Sequence, residues 1–357
     1  MTIPALEGLI DGRSALVASR GTAALMAAAH GFGLAGHDIL VPVNLCPIAV
    51  AGLIWAGVRP VFHDVDPDTG NARLEDIAAA WQPRCGAILA VHNFGMPVAI
   101  DAFAAFAAAR GMRLIEDCCN AVGAVWNSRP VGIFGDAAIY SFGPGKIVDA
   151  GGGGAVTAND PAVIEAMAGW LETRPLADES ERRADADMEA AVRALRSDRL
   201  STPADLRRVY EGYRAFVAMR IGPSRIVAIA DALAALPAGL ERRRSMAARW
   251  RQRLKGGGAR PVAASEGNAP WRFNVLVDTA RRDTLVVALR CAGVPCSTWY
   301  PPIAAQFVGE TAGAESYPGA EHFASRVVNL WVDETITPEA VDATADLILR
   351  VLERPAA

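Results

Sequence analysis

The scarcest basic residue in this sequence is also the one best suited to covalent chemistry. Only two of the 35 basic residues in the 357-residue chain are lysines, Lys146 and Lys255. Arginine cannot supply a neutral amine near neutral pH, so a lysine is expected here where an amine is chemically required. Lys255 precedes a glycine run at the end of a helical pattern, an ordinary helix C-terminus. Lys146 lies in a glycine-rich turn after a strand pattern, and we predict a nucleophilic amine there rather than a surface cation.

Two acids end an apolar strand pattern at residues 114–117, which read Leu-Ile-Glu-Asp. In a parallel α/β sheet, ligands bind beyond the carboxyl ends of the strands. A carboxylate from Asp117 can pair there with the protonated pyridine nitrogen of a bound ring and keep that ring an electron acceptor. The competing interpretation is an aspartate that caps the following helix, and this pattern alone leaves both open.

Small residues open the helical pattern that begins near Gly21. Residues 19–25 read Ser-Arg-Gly-Thr-Ala-Ala-Leu. A helix N-terminus carries free backbone N–H groups at the positive end of the helix dipole, and the Thr22 hydroxyl adds one donor. This pattern predicts a phosphate cradle at Gly21 and Thr22, with a plain helix N-cap as the alternative.

These three groups need a scaffold that brings strand ends together. Short β-rich runs alternate with helical patterns along the first half of the chain, with strands at 39–43, 60–65, 87–91 and 113–117 and helices at 47–56, 74–81 and 100–110. That alternation predicts an α/β fold with a mostly parallel central sheet and helices on both faces. A charged segment at 172–214 and a long helical pattern at 225–254 precede a smaller α+β region. We predict a large domain, 1–220, and a small C-terminal domain, 221–357.

Composition limits the classes of partner. The formal net charge of −4 and the pI near 5.8 give no electrostatic reason to expect nucleic acid. Apolar runs such as 102–109 are far shorter than the ~20 residues that span a bilayer, and the N-terminus lacks a secretory pattern. The six cysteines are scattered without metal-site spacing. We therefore predict a cytoplasmic protein that binds no metal and no membrane.

Several motifs together carry a resemblance to a known family. The sequence resembles the DegT/DnrJ/EryC1/StrS sugar aminotransferases, which are pyridoxal-phosphate (PLP) enzymes of fold type I in the aspartate aminotransferase-like superfamily. The resemblance runs from about Ser14 to about Leu352. Its carriers are GTAAL at 21–25, DILVP at 38–42, AGVRPVFHDVDPDTGN at 56–71, IEDCCNAVGA at 115–124, VGIFGDAAIYSFGPGK at 131–146, GGGGAV at 151–156 and WYPPI at 299–303.

The resemblance implies PLP as cofactor and a role for each matching residue. Lys146 would form the imine with PLP and would later carry the proton between the two carbons of the 1,3-shift. Asp117 would bond to the pyridine nitrogen. Gly21, Thr22 and Ser141 would bind the phosphate group.

The chain also departs from the family pattern. Asn120 stands where the family has Gln or His and would contact the side of the ring that carries the hydroxyl. Cys46 occupies the place of the aromatic residue that stacks on the ring, and a sulfur can pack there with less area. Arg20 replaces the small residue usual before Gly-Thr. The family has an asparagine, contributed by the neighbouring subunit, shortly before an arginine. If Arg220 is that arginine, Ala218 replaces the asparagine.

The implied activity is a ping-pong transamination in a homodimer. Glutamate or glutamine is the usual amino donor, and the acceptor is a keto sugar, a nucleotide-linked sugar or a cyclitol. Two alternatives remain: a PLP enzyme of the same fold that carries out elimination or dehydration, and a catalytically impaired binding relative. Relatives that dehydrate 3-keto sugars have His in place of the lysine, so Lys146 counts against that version.

Overall fold

The structure is a computed structural model that describes residues 1–176, 202–212, 214–265, 267–307 and 316–353, together with residues 183, 187, 188, 190–192 and 194. Much of the predicted charged segment 172–214 therefore lies outside the described residues. In the described part of the chain, the predicted α/β architecture with a mostly parallel central sheet is confirmed.

The strands of the first half are β1 (Ala15–Ala18), β2 (Asp38–Pro42), β3 (Arg59–His63), β4 (Cys85–Val91), β5 (Arg113–Asp117), β6 (Val125–Trp126), β7 (Arg129–Pro130), β8 (Ala137–Ser141) and β9 (Gly154–Ala158). Within the described residues, seven of them form the central sheet in the order β1-β9-β8-β5-β4-β2-β3, and β6 and β7 form a separate hairpin. The pairs from β3 to β8 are parallel, whereas β9 runs antiparallel to β8 and β1.

The helices of the first half are α1 (Pro4–Glu7), α2 (Gly21–Gly31), α3 (Pro47–Trp55), α4 (Leu74–Ala80), α5 (Ile100–Ala108) and α6 (Pro161–Glu172). They cover both faces of the sheet, because its parallel strands are apolar on both sides. The cluster around α2 and α3 contains Ile115, whereas its strand neighbour Leu114 belongs to the cluster around α5. Residues 21–29 of α2 are all buried, which explains why the helix has no polar stripe.

The second half contains α7 (Pro203–Gly212), α8 (Arg214–Val217), α9 (Pro223–Ala234), α10 (Leu236–Arg253), α11 (Thr279–Cys291), α12 (Pro318–Ala324) and α13 (Pro338–Glu353). Its strands are β10 (Arg260–Pro261), β11 (Phe273–Leu276), β12 (Cys296–Ser297) and β13 (Val327–Leu330). These strands form an antiparallel sheet in the order β10-β11-β13-β12.

The long helical pattern predicted at 225–254 is two helices, α9 and α10, which meet at Ala235 with a bend of 53°. This pair together reaches the length and apolar composition of a bilayer span. No single helix in the described ranges does so.

The predicted domain boundary after residue 220 stays a prediction. The two helices that follow residue 220 pack against different parts of the chain. Ile229 and Leu233 of α9 lie in a cluster with Leu6 of α1 and Ala138 of β8. Trp250, near the end of α10, packs instead with the core of the small antiparallel sheet.

The loop 132–135, before β8, makes hydrogen bonds with two side chains, Arg13 and Glu116. Arg13 donates hydrogen bonds to the carbonyl oxygens of Gly132, Ile133 and Gly135. Glu116 of β5 accepts hydrogen bonds from backbone N–H groups of the same loop. The loop therefore connects the N-terminal segment to β5, the strand that ends in Asp117.

Candidate active site

One cavity lies where the carboxyl ends of β5 and β8 meet the N-terminus of α2. Its volume is about 460 Å³. The register pairs Asp117 with Val91 of β4 and Ile139 of β8, which brings these strand ends to one edge of the sheet. The cavity is lined by all seven residues predicted for the site: Gly21, Thr22, Cys46, Asp117, Asn120, Ser141 and Lys146.

The N-terminus of α2 opens onto this cavity. Arg20 precedes the helix with extended backbone, and the first helical hydrogen bond runs from Ala24 N–H to the Arg20 carbonyl oxygen at 3.0 Å. The N–H groups of Gly21 and Thr22 therefore have no acceptor within the helix. With the hydroxyls of Thr22 and Ser141, they form a donor set that suits a phosphate group.

Glycines allow the backbone to approach closely around this turn. A Cβ added at Gly21 would lie 2.8 Å from Cys119 Sγ and 3.2 Å from Ser141 Cβ. A Cβ added at Gly154, the first residue of β9, would overlap the carbonyl carbon of Arg20 and lie 2.8 Å from Gly21 N. The turn before α2 can contact β9 only because residue 154 has no side chain.

Asp117 directs its carboxylate into the cavity from the end of β5. Side chains alternate along a strand, so Asp117 shares with Ile115 the face that α2 covers. The side chain is 9% exposed, and its Oδ1 accepts a hydrogen bond from Cys119 N–H at 2.9 Å. This contact fixes the orientation of the carboxylate.

Lys146 lies in the turn that follows β8. Gly145 has a φ of 73°, a left-handed conformation that favours glycine, and its N–H donates to Asp149 Oδ2 at 2.7 Å. The half-buried lysine side chain reaches into the cavity, where its Nζ donates to Asn120 Oδ1 at 2.8 Å. The amine is therefore held at a defined position.

Asn120 connects this amine to a buried tyrosine. Its Nδ2 donates to Tyr300 Oη at 3.4 Å, so the amide bridges lysine and phenol. Burial raises the pKa of Tyr300 far above its usual range, and the phenol remains protonated. Tyr300 also lines the cavity.

Two thiols, Cys46 and Cys119, line the same cavity. Cys46 is half-buried and immediately precedes α3. Burial raises the pKa of the Cys119 thiol well above its ordinary value, so this group is uncharged at neutral pH. Neutral sulfur is polarisable and packs well against aromatic rings.

Several other residues that line the cavity were not predicted as site residues, among them Tyr300 and Met188. Tyr300 belongs to the run Trp-Tyr-Pro-Pro-Ile, where an aromatic residue beside two prolines was the available signal. Met188 lies in the charged segment 172–214, whose composition is typical of exposed helices or a mobile flap and gave no indication of a site.

The sequence profile of the DegT/DnrJ/EryC1/StrS aminotransferase family matches residues 5–349. The chain belongs to this family. The match covers nearly the whole chain, so the central sheet, the cavity and the small sheet all lie within the matched residues.

Two relatives and one solved structure illustrate the similarity of this chain to known proteins. UDP-N-acetyl-3-dehydro-α-D-glucosamine 3-aminotransferase of Acidithiobacillus ferrooxidans is 28% identical over 354 residues, 98% of this chain and 88% of the relative. dTDP-4-dehydro-2,3,6-trideoxy-D-glucose 4-aminotransferase of Saccharopolyspora spinosa is 37% identical over 153 residues, 43% of this chain and 40% of the relative. The crystal structure of DesI in the presence of its TDP-sugar product is 27% identical and has a TM-score of 0.79, covering 99% of this chain and 84% of that one. The predicted fold class and family are confirmed.

Proposed function

We propose that this chain is a PLP-dependent aminotransferase that moves an amino group from glutamate or glutamine to a keto group on a nucleotide-linked sugar, another keto sugar or a cyclitol. One observation carries the proposal: the amine of Lys146, the carboxylate of Asp117 and the N-terminus of α2 line the same cavity. Nucleotide-linked sugars are favoured among the acceptors because the named relatives act on UDP- and dTDP-linked sugars.

The donors and acceptors of the cavity fit PLP. The free N–H groups of Gly21 and Thr22, with the Ser141 hydroxyl, suit its phosphate. Asp117 suits a protonated pyridine nitrogen, and Lys146 is an amine that can bind an aldehyde covalently. When bound, PLP supplies an electron sink that makes a proton on the adjacent substrate carbon easier to remove.

In this proposal Lys146 Nζ accepts that proton and returns it at a neighbouring atom. Asn120 Oδ1, 2.8 Å from Nζ, limits the positions that the amine can take. Asp117 keeps the ring nitrogen protonated by its negative charge. The uncharged thiol of Cys119 and the thiol of Cys46 offer sulfur contacts to a planar ring without adding charge.

The amino donor and the keto acceptor bind in this cavity one after the other, which is the basis of a ping-pong mechanism. The predicted homodimer, with sites between subunits, belongs to the same proposal and follows from the family resemblance. A cytoplasmic location is proposed from the scattered free cysteines, which suit a reducing compartment.

The test compares the chain's two lysines. Lys146→Ala should lose the visible absorbance of lysine-bound PLP and all amino transfer from glutamate, because no other lysine can replace the amine. Lys255→Ala is the matched control, since it removes an exposed lysine just after α10 and should change neither property. Amino transfer by the Lys146→Ala variant would contradict the proposal.

Product analysis with wild-type protein separates the alternatives. A panel of keto sugars, UDP- and dTDP-linked keto sugars and keto cyclitols should yield an amino product from at least one class. Release of ammonia or a dehydrated product instead would indicate elimination. Failure of the wild-type protein to bind PLP would indicate a binding relative.

A further inference from the structure

Trp271, which lies between β10 and β11, contacts the turn that carries Lys146. Its indole N–H donates to the Gly145 carbonyl oxygen at 2.6 Å. The Lys146 Nζ atom lies 5.4 Å from the centre of its ring, within the range of a cation–π interaction. Trp271 is 7% exposed and is not among the described residues that line the cavity. Trp271 therefore contacts Lys146 from outside the cavity.

A second path leads from Trp271 back to the same amine. The Trp271 ring is stacked on the ring of Tyr300, with centroids 6.2 Å apart and planes inclined by 13°. Tyr300 Oη accepts from Asn120 Nδ2 at 3.4 Å, and Asn120 Oδ1 accepts from Lys146 Nζ at 2.8 Å. These contacts close a circuit through four side chains. Displacement of the indole would disturb the lysine through both its backbone turn and its amine.

Trp271 is itself anchored by neighbours on several sides. Its backbone N–H donates to the Phe94 carbonyl oxygen at 3.1 Å, and its ring stacks on that of Phe94 with centroids 6.5 Å apart. The guanidinium carbon of Arg272 lies 4.6 Å from its ring centre. A side chain fixed in this way can transmit a fixed position to the residues it contacts.

We propose that Trp271 is a positioning residue for Lys146. It holds the turn through the Gly145 carbonyl, and its ring stabilises the charged form of the lysine amine. The inference rests on the proposed function for its catalytic consequence, whereas the contact itself can be measured in protein without PLP. A cation–π interaction of this kind corresponds to about a two- to thirtyfold change in an equilibrium.

The first experiment measures the reactivity of Lys146 in PLP-free protein. A trace amount of acetic anhydride labels the neutral amines at mildly alkaline pH, and peptide mass spectrometry gives the labelling of Lys146 relative to exposed Lys255. Trp271→Leu should raise this ratio about threefold or more, because the charged amine loses its ring contact. An unchanged ratio in a folded Trp271→Leu protein would overturn the proposal.

Trp250→Phe is the matched control. Trp250 is 2% exposed, and its indole N–H donates to the Trp331 carbonyl oxygen at 3.1 Å, a bond of the same kind in the separate core cluster of the small sheet. Trp250→Phe should leave the labelling ratio unchanged. If it raised the ratio as much as Trp271→Leu, the effect would be general destabilisation and the positioning role would be refuted.

The second experiment measures the kinetic consequence. Trp271→Phe removes the N–H donor but keeps a ring, and it should lower kcat about tenfold or more while KM for glutamate stays within about twofold. This variant also decides the question if Trp271→Leu does not fold. An unchanged kcat, or a rise in KM alone, would contradict positioning. If wild-type protein binds no PLP, the proposed function fails, and the labelling ratio still decides whether Trp271 holds Lys146.

Discussion

Glu116 and Asp117, consecutive at the end of β5, direct their carboxylates to opposite faces of the central sheet. Asp117 lines the cavity. Glu116 is fully buried and accepts hydrogen bonds at 2.7 Å from the N–H groups of Gly132, Phe134 and Gly135. Two adjacent acids thus have different tasks, one at the site and one in the support beneath it.

Asp117→Asn should lower the rate of amino transfer about 100-fold or more. The amide has nearly the same size but cannot stabilise a protonated pyridine nitrogen by charge. The measurement is kcat for glutamate with a productive keto acceptor, together with the absorbance spectrum of bound PLP. Asp231→Asn, an exposed change on α9, is the control and should retain the wild-type rate. A loss smaller than tenfold in Asp117→Asn would count against its assigned role.

Glu116→Gln should destabilise the protein by about 2–4 kcal/mol, because the amide leaves buried N–H donors of the loop 132–135 without an acceptor. His92 adds a further contact, with its Nε2 3.2 Å from Glu116 Oε2. His92 Nδ1 accepts from Val98 N–H at 3.2 Å, which leaves Nε2 as the donor to the carboxylate. Urea denaturation at neutral pH measures the loss, and equal midpoints for variant and wild type would refute it.

The Glu116→Gln variant should also change how the stability of the protein depends on pH. Burial by itself would raise the pKa of Glu116, but the donors from His92, Gly132 and Gly135 outweigh it, and the pKa lies below its ordinary value of 4.5. The unfolded state then binds the proton first, so this contribution is present above pH 4.5 and is lost as the pH falls through the folded-state value. The difference between wild type and Glu116→Gln should therefore narrow in acid. A constant difference across the acid range would contradict the pKa shift.

His63, at the end of β3, should make the protein less stable in mild acid. The ring is 2% exposed, and burial lowers its pKa from 6.5 to about 4. Between these values the unfolded chain binds a proton that the folded chain does not, so stability falls by about 3 kcal/mol as the pH drops through this window. His63 Nδ1 lies 2.8 Å from the Asp64 carbonyl oxygen, and His63→Gln keeps a possible donor there but removes the titrating ring, so it should remove this slope in urea titrations. Exposed His322→Gln should leave the slope unchanged, and a persistent slope in His63→Gln would refute the assignment.

Gly154→Ala should weaken PLP binding at least about tenfold. The added methyl group would overlap the Arg20 carbonyl carbon and would displace the turn that precedes α2. Fluorescence titration with PLP gives the dissociation constant. Gly169→Ala in α6 is the matched control, because its Cβ would meet no atom within 4 Å and the change should stabilise the helix by about 0.5–1 kcal/mol. Equal PLP affinity in both variants would show that the turn tolerates displacement.

Local patterns predicted the parts of the fold that depend on neighbours in the sequence. The strand at 113–117 and its terminal Asp117 were predicted at their observed positions, because an apolar run ends there in charged residues. β1 was not predicted, since a four-residue strand gives too short a pattern and its pairing with β9 joins residues far apart in the chain. For the same reason the contact between Asn120 and Tyr300, 180 residues apart, has no sequence signature. The aromatic rings around Lys146 could therefore not be predicted from local patterns.

The hydrogen bonds to the loop 132–135 connect the candidate active site to the amino-terminal segment. Arg13 uses the carbonyl side of that loop, while Glu116 uses its N–H side. A chain shortened past residue 13 would leave those carbonyls without the half-buried Arg13 guanidinium and would loosen the strand that ends at the cavity. Arg13 is thus connected to Asp117 through the loop 132–135 and Glu116, although Arg13 is not among the described residues that line the cavity.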